Sequence, residues 1–197
     1  MSDAIKITVG DGICHVQMTR PEKKNALTAA MYQSMADALA DAENNPAVRV
    51  ILISGSGGSF TAGNDLADFL ATPPLDDSAP VFRFIKGFAQ LEKPFVAAVE
   101  GVAVGVGTTM LLHCDLAYAA TNTKFALPFA NLGLTPEAAS SVLLPLRAGH
   151  ARAAGVRGAA ARRRCRRRQF LRPHRRRGAA GLPPRGEPQG APAHHAP

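Results

Sequence analysis

Backbone N–H groups free to meet a negative charge, and a carboxyl group able to move a proton, are the chemistry that this 197-residue chain offers. In Ser59-Phe60-Thr61-Ala62-Gly63-Asn64-Asp65-Leu66, small residues permit a tight turn from a strand end into a helix opened by Asp65. The N–H groups of such a turn can face a ligand. In Glu100-Gly101-Val102-Ala103-Val104-Gly105-Val106-Gly107-Thr108-Thr109, glycines let the backbone approach a ligand at a helix N-terminus, where unpaired N–H groups and the helix dipole favour negative charge. In the third stretch, from Phe125 through Phe129 and Asn131-Leu132-Gly133 to Pro136-Glu137, Pro136 suits the first turn of a helix and sets Glu137 close to its start.

Each stretch also has an ordinary reading. The first can be a plain βα turn, the second close helix packing, and Glu137 a solvated first-turn carboxylate. The second stretch lacks the Lys-Ser/Thr of a P-loop and the GxGxxG of a dinucleotide fingerprint. His15 and His113 read as satisfied strand and helix histidines. Cys14, Cys114 and Cys165 are odd in number, far apart and never in a CxxC pair, which argues against a disulfide framework or a metal knuckle.

The elements that must position these stretches alternate. Ile5, Ile7 and Val9 share one face of a strand, Gly10-Asp11-Gly12 turns, and residues 13–18 resume, the pattern of a hairpin. Thr28 caps a helix whose apolar residues Met31, Met35, Leu39 and Ala42 recur at helical spacing and which Asn44-Asn45-Pro46 ends. Residues 48–53 are β-branched and read as a strand buried on most of its surface, giving a strand–helix–strand unit. A loop over 71–79 precedes a helix marked by Phe82, Ile85, Phe88 and Ala89; then follow a strand over 94–99, a helix over 107–113 and a short strand over 115–119. The class is α/β.

Together, and in this order, the three stretches resemble the enoyl-CoA hydratase/isomerase (crotonase) superfamily. The resemblance extends to Arg20-Pro21-Glu22-Lys23-Lys24-Asn25-Ala26-Leu27, to Lys93-Pro94-Phe95-Val96-Ala97-Ala98-Val99 and to His113-Cys114-Asp115-Leu116-Ala117-Tyr118-Ala119, and covers residues 5–154. It implies a spiral of ββα repeats with a coenzyme A thioester bound across them. The thioester oxygen would sit between the N–H groups of Asn64 and Val106, and the substrate would be met by Lys24, Ala26, Ala62, Asn64, Asp65, Leu66 and Val106. Because the donors are backbone groups, Val106 is acceptable where relatives often have Gly.

The same resemblance separates the chemistries. Hydratases of the family use two glutamates, at positions occupied here by Thr109 and Phe129, and neither Thr nor Phe can serve as a base near neutral pH. The pattern from Asn131-Leu132-Gly133 to Glu137 and Ala138-Ala139-Ser140-Ser141 looks like the Δ3-Δ2-enoyl-CoA isomerase branch of peroxisomal type, in which one glutamate moves the proton. Glu137 is then the acid/base, in an apolar pocket lined by Phe129 and its neighbours. No metal or cofactor is implied, since coenzyme A is part of the substrate. A homotrimer is the family's assembly. Hydratase activity, or an inactive truncated family member, are the alternatives.

Composition qualifies this reading. No apolar run reaches the ~20 residues of a membrane-spanning helix, and residues 1–10 lack a signal-peptide pattern, so the cytoplasm is the expected compartment. Residues 1–154 carry 11 Lys+Arg against 14 Asp+Glu, or −3; residues 155–197 carry 12 Arg against Glu187, or +11. From Gly155 onward there is no Ser, Thr, Lys, Asp, Asn, Ile, Met or Tyr, and such a segment is expected to be disordered. It divides the chain into an incomplete acyl-CoA-binding domain, 1–154, and a basic tail, 155–197. An abrupt Arg-rich tail inside an expected helix is what a GC-rich gene read out of frame would give. A basic arm for nucleic acid is the competing reading, disfavoured because Phe170 is its lone aromatic residue for base stacking. Resequencing around codon 155 separates the two: family sequence restored in another frame removes the arm.

Overall fold

The computed structural model describes residues 2–157 and the backbone of 163–164. The Asp11-Gly12 turn joins β1 (Ile5–Gly10) to β2 (Ile13–Met18) in an antiparallel hairpin with Ile5 opposite Met18. The helix α1 (Ala29–Asn44) follows, with the Thr28 hydroxyl accepting from Met31 N at 3.3 Å, and then β3 (Val50–Gly55), parallel to β2. The strand–helix–strand unit is therefore present. Burial in β3 alternates: Ile51 and Ile53 are fully enclosed and Leu52 and Ser54 only half so, because helices cover one face of the sheet. The expectation of a strand buried on most of its surface is corrected to that extent.

Beyond β3 lie α2 (Leu66–Ala71), α3 (Pro80–Gln90) and β4 (Phe95–Val99), then β5 (Val102–Val104), α4 (Val106–Thr109) and a 3₁₀ turn, Met110–Leu112. The strands β6 (Leu116–Ala119) and β7 (Lys124–Ala126) lead to a 3₁₀ turn, Ala130–Leu132, and to α5 (Ser140–Ala148) and α6 (His150–Arg157). The backbone of β8 (Arg163–Arg164) pairs antiparallel with β7.

The strands form two layers. One is a five-stranded sheet in the order β1-β2-β3-β4-β6, parallel from β2 onward; the other holds β5-β7-β8. Single parallel bridges, Leu27 to Asn64 and Thr61 to Ala103, extend the second layer. Each repeat thus places a strand in the first layer and a short extended step in the second, which is the crotonase-like spiral.

The core lies between the first sheet and the helices α1 and α3. Val16, Met18, Ile51, Ile53, Ala97 and Val99 meet Met31, Met35, Leu39, Phe84 and Phe88. Phe84 stands 5.8 Å from Tyr32 and 5.2 Å from Phe88, the latter edge-on, as aromatic quadrupoles prefer. The face of α3 turned inward is Val81, Phe84 and Phe88, whereas Phe82, Ile85 and Ala89 line its rim. A smaller cluster joins Leu112, Leu127, Phe129, Leu144 and Ala153.

Asn25 locks the entry to α1. It is fully buried, accepts from Arg20 N at 2.8 Å, and donates to the carbonyls of Ser56 (3.0 Å) and Ser59 (2.7 Å).

Four expectations need correction. Pro136 does not open a helix: Ala138 and Ala139 take left-handed angles, φ 50° and 51°, and α5 begins only at Ser140. The helix expected over 107–113 is one α-turn followed by a tighter 3₁₀ turn. The division at 154/155 falls inside α6, since Ala and Arg are strong helix formers. Arg163–Arg164, expected to be disordered, form a strand at the open edge of β7, where unpaired backbone groups accept an extended partner. Expectations placed on 158–162 and 165–197 lie outside the described residues.

Phe84→Ala should cost about 3–5 kcal/mol through the cavity it leaves. Asn25→Ala should cost about 2–4 kcal/mol by stranding buried backbone groups. Urea unfolding at unchanged m checks both.

Candidate active site

The first stretch and the third repeat are laid side by side by the Thr61–Ala103 bridge. Thr61 N donates to Val102 O at 2.9 Å and Val104 N donates to Thr61 O at 3.1 Å. Asn64 and Val106 each lie three residues beyond that bridge on parallel paths. Two glycines permit the approach. Gly63 has φ +86°, and a Cβ there would sit 2.9 Å from Val104 O; a Cβ at Gly107 would sit 2.4 Å from Thr61 Cγ2.

Several neighbouring amides are spent within the chain. Ala62 N donates to Lys24 O (2.9 Å), Gly63 N to Thr61 Oγ1 (3.1 Å) and Asp65 N to Leu27 O (2.8 Å). On the other strand of the pair, Gly105 N donates to Ala126 O at 2.9 Å, while Thr108 N and Thr109 N both donate to Gly105 O. Asn64 N and Val106 N donate to no acceptor among the described residues. Val106 begins α4, so its amide is one of the N–H groups a helix start leaves over. Its side chain is in the core at 1% exposure.

Asp65 caps α2 by accepting from Ala67 N and Asp68 N, and Arg20 Nη1 reaches its carboxylate at 2.7 Å. The Arg20 hydrogen bond, aided by the backbone amides, holds Asp65 below the usual carboxylate range. Its side chain is thus committed to the scaffold. Arg20 Nη1 also donates to Ala26 O at 3.0 Å, tying the Lys24–Ala26 segment to the same turn. Lys24 N and Ala26 N are likewise spent, on Pro21 O (2.9 Å) and Lys23 O (3.0 Å), so the exposed Lys24 ammonium and the second lone pairs of the two carbonyls are what this segment can offer a ligand. Ala62 is half-buried, and Leu66 is 60% exposed at the start of α2.

Glu137 is half-buried in the turn before α5. Burial pushes its carboxyl up to about 7, against a smaller opposing pull from the Thr109 hydroxyl. Thr109, a position where the resemblance places a hydratase glutamate, therefore faces Glu137. The turn is held by His113, whose Nε2 lies 2.8 Å from Ala138 O and whose ring packs, tilted, with its centroid 5.0 Å from that of Phe88. This hydrogen bond secures the left-handed Ala138-Ala139 pair, which carries backbone strain next to the carboxyl. His113, assigned no role from sequence, is a support of the Glu137 turn. Phe129 packs with Leu112, Leu127 and Leu144, and its carbonyl accepts from Leu134 N at 2.8 Å.

Tyr32 was not singled out by sequence. It is buried on α1, its phenol donates to Asn64 Oδ1, and burial followed by the charge of Glu137 raises it well above its ordinary value. Its polar partner lies 32 residues away. No group of three or more His, Cys, Asp or Glu side chains that could hold a metal occurs among the described residues.

Comparison with known proteins follows the same line. The family model for enoyl-CoA hydratase/isomerase matches residues 8–164, past Ala154. The 1,2-epoxyphenylacetyl-CoA isomerase of Escherichia coli is 37% identical over 163 residues, covering 79% of this chain and 62% of that protein. Enoyl-CoA delta isomerase 2 of Rattus norvegicus is 38% identical over 159 residues, covering 78% of this chain and 40% of that protein. The structure of Pseudomonas aeruginosa OdaA superposes with a TM-score of 0.79 at 47% identity, covering 83% of this chain and 66% of that one. The chain thus spans less than two thirds of each of these proteins. It belongs to the enoyl-CoA hydratase/isomerase family, a family of enzymes that act on acyl-CoA thioesters.

Proposed function

We propose that this chain carries the site of an enoyl-CoA isomerase that shifts a 3-enoyl-CoA double bond to the 2-position. The observation that carries the reading is a single carboxyl, Glu137, held near neutrality by burial beside the helix turn that begins at Val106. A base poised near the working pH transfers protons most effectively.

The steps balance without an added reactant. The Glu137 carboxylate takes a proton from C2, and the C–H electron pair moves into the thioester, leaving a dienolate with charge on the oxygen. The Asn64 and Val106 N–H groups stabilise that charge; losing one such donor typically costs about 3–4 kcal/mol. The protonated Glu137 then delivers the proton to C4, and the double bond comes to rest between C2 and C3. Lys24, Ala26, Ala62, Asp65 and Leu66 border the bound thioester in this reading, and no metal or further cofactor takes part.

The similarity to enoyl-CoA delta isomerase 2 of Rattus norvegicus favours this branch. Hydration by a pair of glutamates is disfavoured, since Thr109 and Phe129 stand at the positions where the resemblance places them. Fatty-acid oxidation in the cytoplasm is the setting we propose.

With 3-enoyl-CoA and 2-enoyl-CoA assayed in parallel, the chain should convert the first to the second and add no water to the second. Water addition without isomerisation would overturn the reading. Glu137→Gln should lower isomerase kcat by about 100- to 10,000-fold; unchanged turnover would reject Glu137 as the base. The pH dependence of kcat/KM should rise to a plateau with a midpoint of about 7.

Stability should show the opposite trend. The native carboxyl keeps its proton to about 7, whereas in the unfolded chain it releases it near 4.5. Native Glu137 therefore binds more protons across that window, and its contribution is complete below 4.5 and lost as pH rises through about 7. Urea unfolding at a series of pH values should show this decline, and Glu137→Gln should remove it.

A further inference from the structure

Tyr32 has a hydroxyl that its ring packing does not require. Its ring, 4% exposed, fills the space between α1 and Phe84, and a phenylalanine would fill the same volume. A buried phenol must still place its O–H, and this one donates to Asn64 Oδ1. The bond crosses from the core helix to the turn whose amide is left over.

The consequence for Asn64 is directional. A carboxamide has an acceptor end and a donor end, and here the acceptor end is held by Tyr32. The Nδ2 end, turned away from Tyr32, has no partner among the described residues and is not sealed from solvent. The backbone on either side is fixed by Leu27 N to Gly63 O and Asp65 N to Leu27 O, both 2.8 Å, so the Tyr32 bond is the remaining restraint on residue 64 itself. The charge of Glu137 is also felt at the phenol, which puts phenol, carboxamide and carboxyl in one cluster.

We propose that Tyr32 is a positioning residue for the enolate site: through Asn64 Oδ1 it fixes residue 64 so that its backbone N–H, and the donor end of its carboxamide, are presented to the thioester. This rests on the reading of Asn64 N–H as an oxyanion donor. Tyr32 does not itself touch substrate. Its hydroxyl removes a freedom that the Asn64 side chain would otherwise have, and so preorganises the donors before charge develops.

The test uses the full chain and acetoacetyl-CoA, whose enolate has its own ultraviolet band. Wild type should bind it and display the enolate band. Tyr32→Phe should weaken enolate binding about tenfold, the equivalent of one hydrogen bond, with the urea midpoint and the affinity for coenzyme A alone unchanged. In an Asn64→Ala background, Tyr32→Phe should have no further effect. Enolate binding by Tyr32→Phe equal to wild type, an equal loss in the Asn64→Ala background, or a parallel loss of coenzyme A affinity would overturn the proposal while leaving the oxyanion reading intact. Should Tyr32→Phe fail to fold, Asn64→Ala alone decides: retained coenzyme A affinity with a weakened enolate band supports the proposal, and an undiminished band rejects it. Wild type that binds no enolate would overturn the oxyanion reading and this proposal with it.

Discussion

A backbone amide withheld from a carbonyl partner costs free energy unless a ligand or water takes it. Among the described residues, the architecture around the Thr61–Ala103 bridge leaves the amides of Asn64 and Val106 without an acceptor, while spending those of Ala62, Gly63, Asp65 and Gly105. Everything nearby serves that outcome. The buried Thr61 hydroxyl donates to Asn25 O at 2.6 Å and accepts from Gly63 N, and Asn25 in turn is bonded to the two serine carbonyls of the preceding turn. Side chains at 63 and 107 would drive the two paths apart, so glycine occupies both. The spiral supplies the parallel step, and the bridging hydrogen bonds set its register.

The carboxyl is positioned by a different device. Glu137 lies in a turn with two consecutive alanines in left-handed conformation, and such strain persists only where surrounding contacts over-determine it. His113, packed against Phe88 and bonded to Ala138 O, and Ser140 N bonded to Glu137 O at 2.9 Å, provide those contacts. The turn therefore trades local stability for a partly desolvated acid. Asp65, a carboxylate in the adjacent turn, is pulled the other way by Arg20 and stays charged. The two acids are driven apart in basicity by burial and by pairing, which in the proposed function leaves Asp65 to the scaffold and Glu137 to proton transfer.

Much of this was legible in the residues. Period-two and helical spacing located β1, β2, α1 and α3, and Asp11-Gly12 located the hairpin, because these features depend on local preference. The steps of the second layer were not found as strands: β5 and β7 are three residues each, too short for a pattern, and β5 lies in the stretch read as ligand-approaching backbone. The helix start after Glu137 was misplaced because Pro136 is a local signal, whereas the left-handed Ala138-Ala139 pair is fixed by the distant His113. Tyr32 and His113 share that cause. Each looks like ordinary core or helix surface until the fold brings its partner, 32 and 25 residues away, into contact. The ordered motifs pointed to Asn64, Val106 and Glu137 through the resemblance, but the hydrogen-bonding state of the two amides became visible only with the backbone in hand.

Isotope-edited infrared spectroscopy of a bound coenzyme A thioester, labelled with carbon-13 at the carbonyl, tests the convergence of the two amides most directly. A carbonyl held by both Asn64 N and Val106 N should give one narrow band at lower frequency than the same thioester in water. A band at the aqueous frequency, with the ligand demonstrably bound, would contradict the oxyanion-hole account.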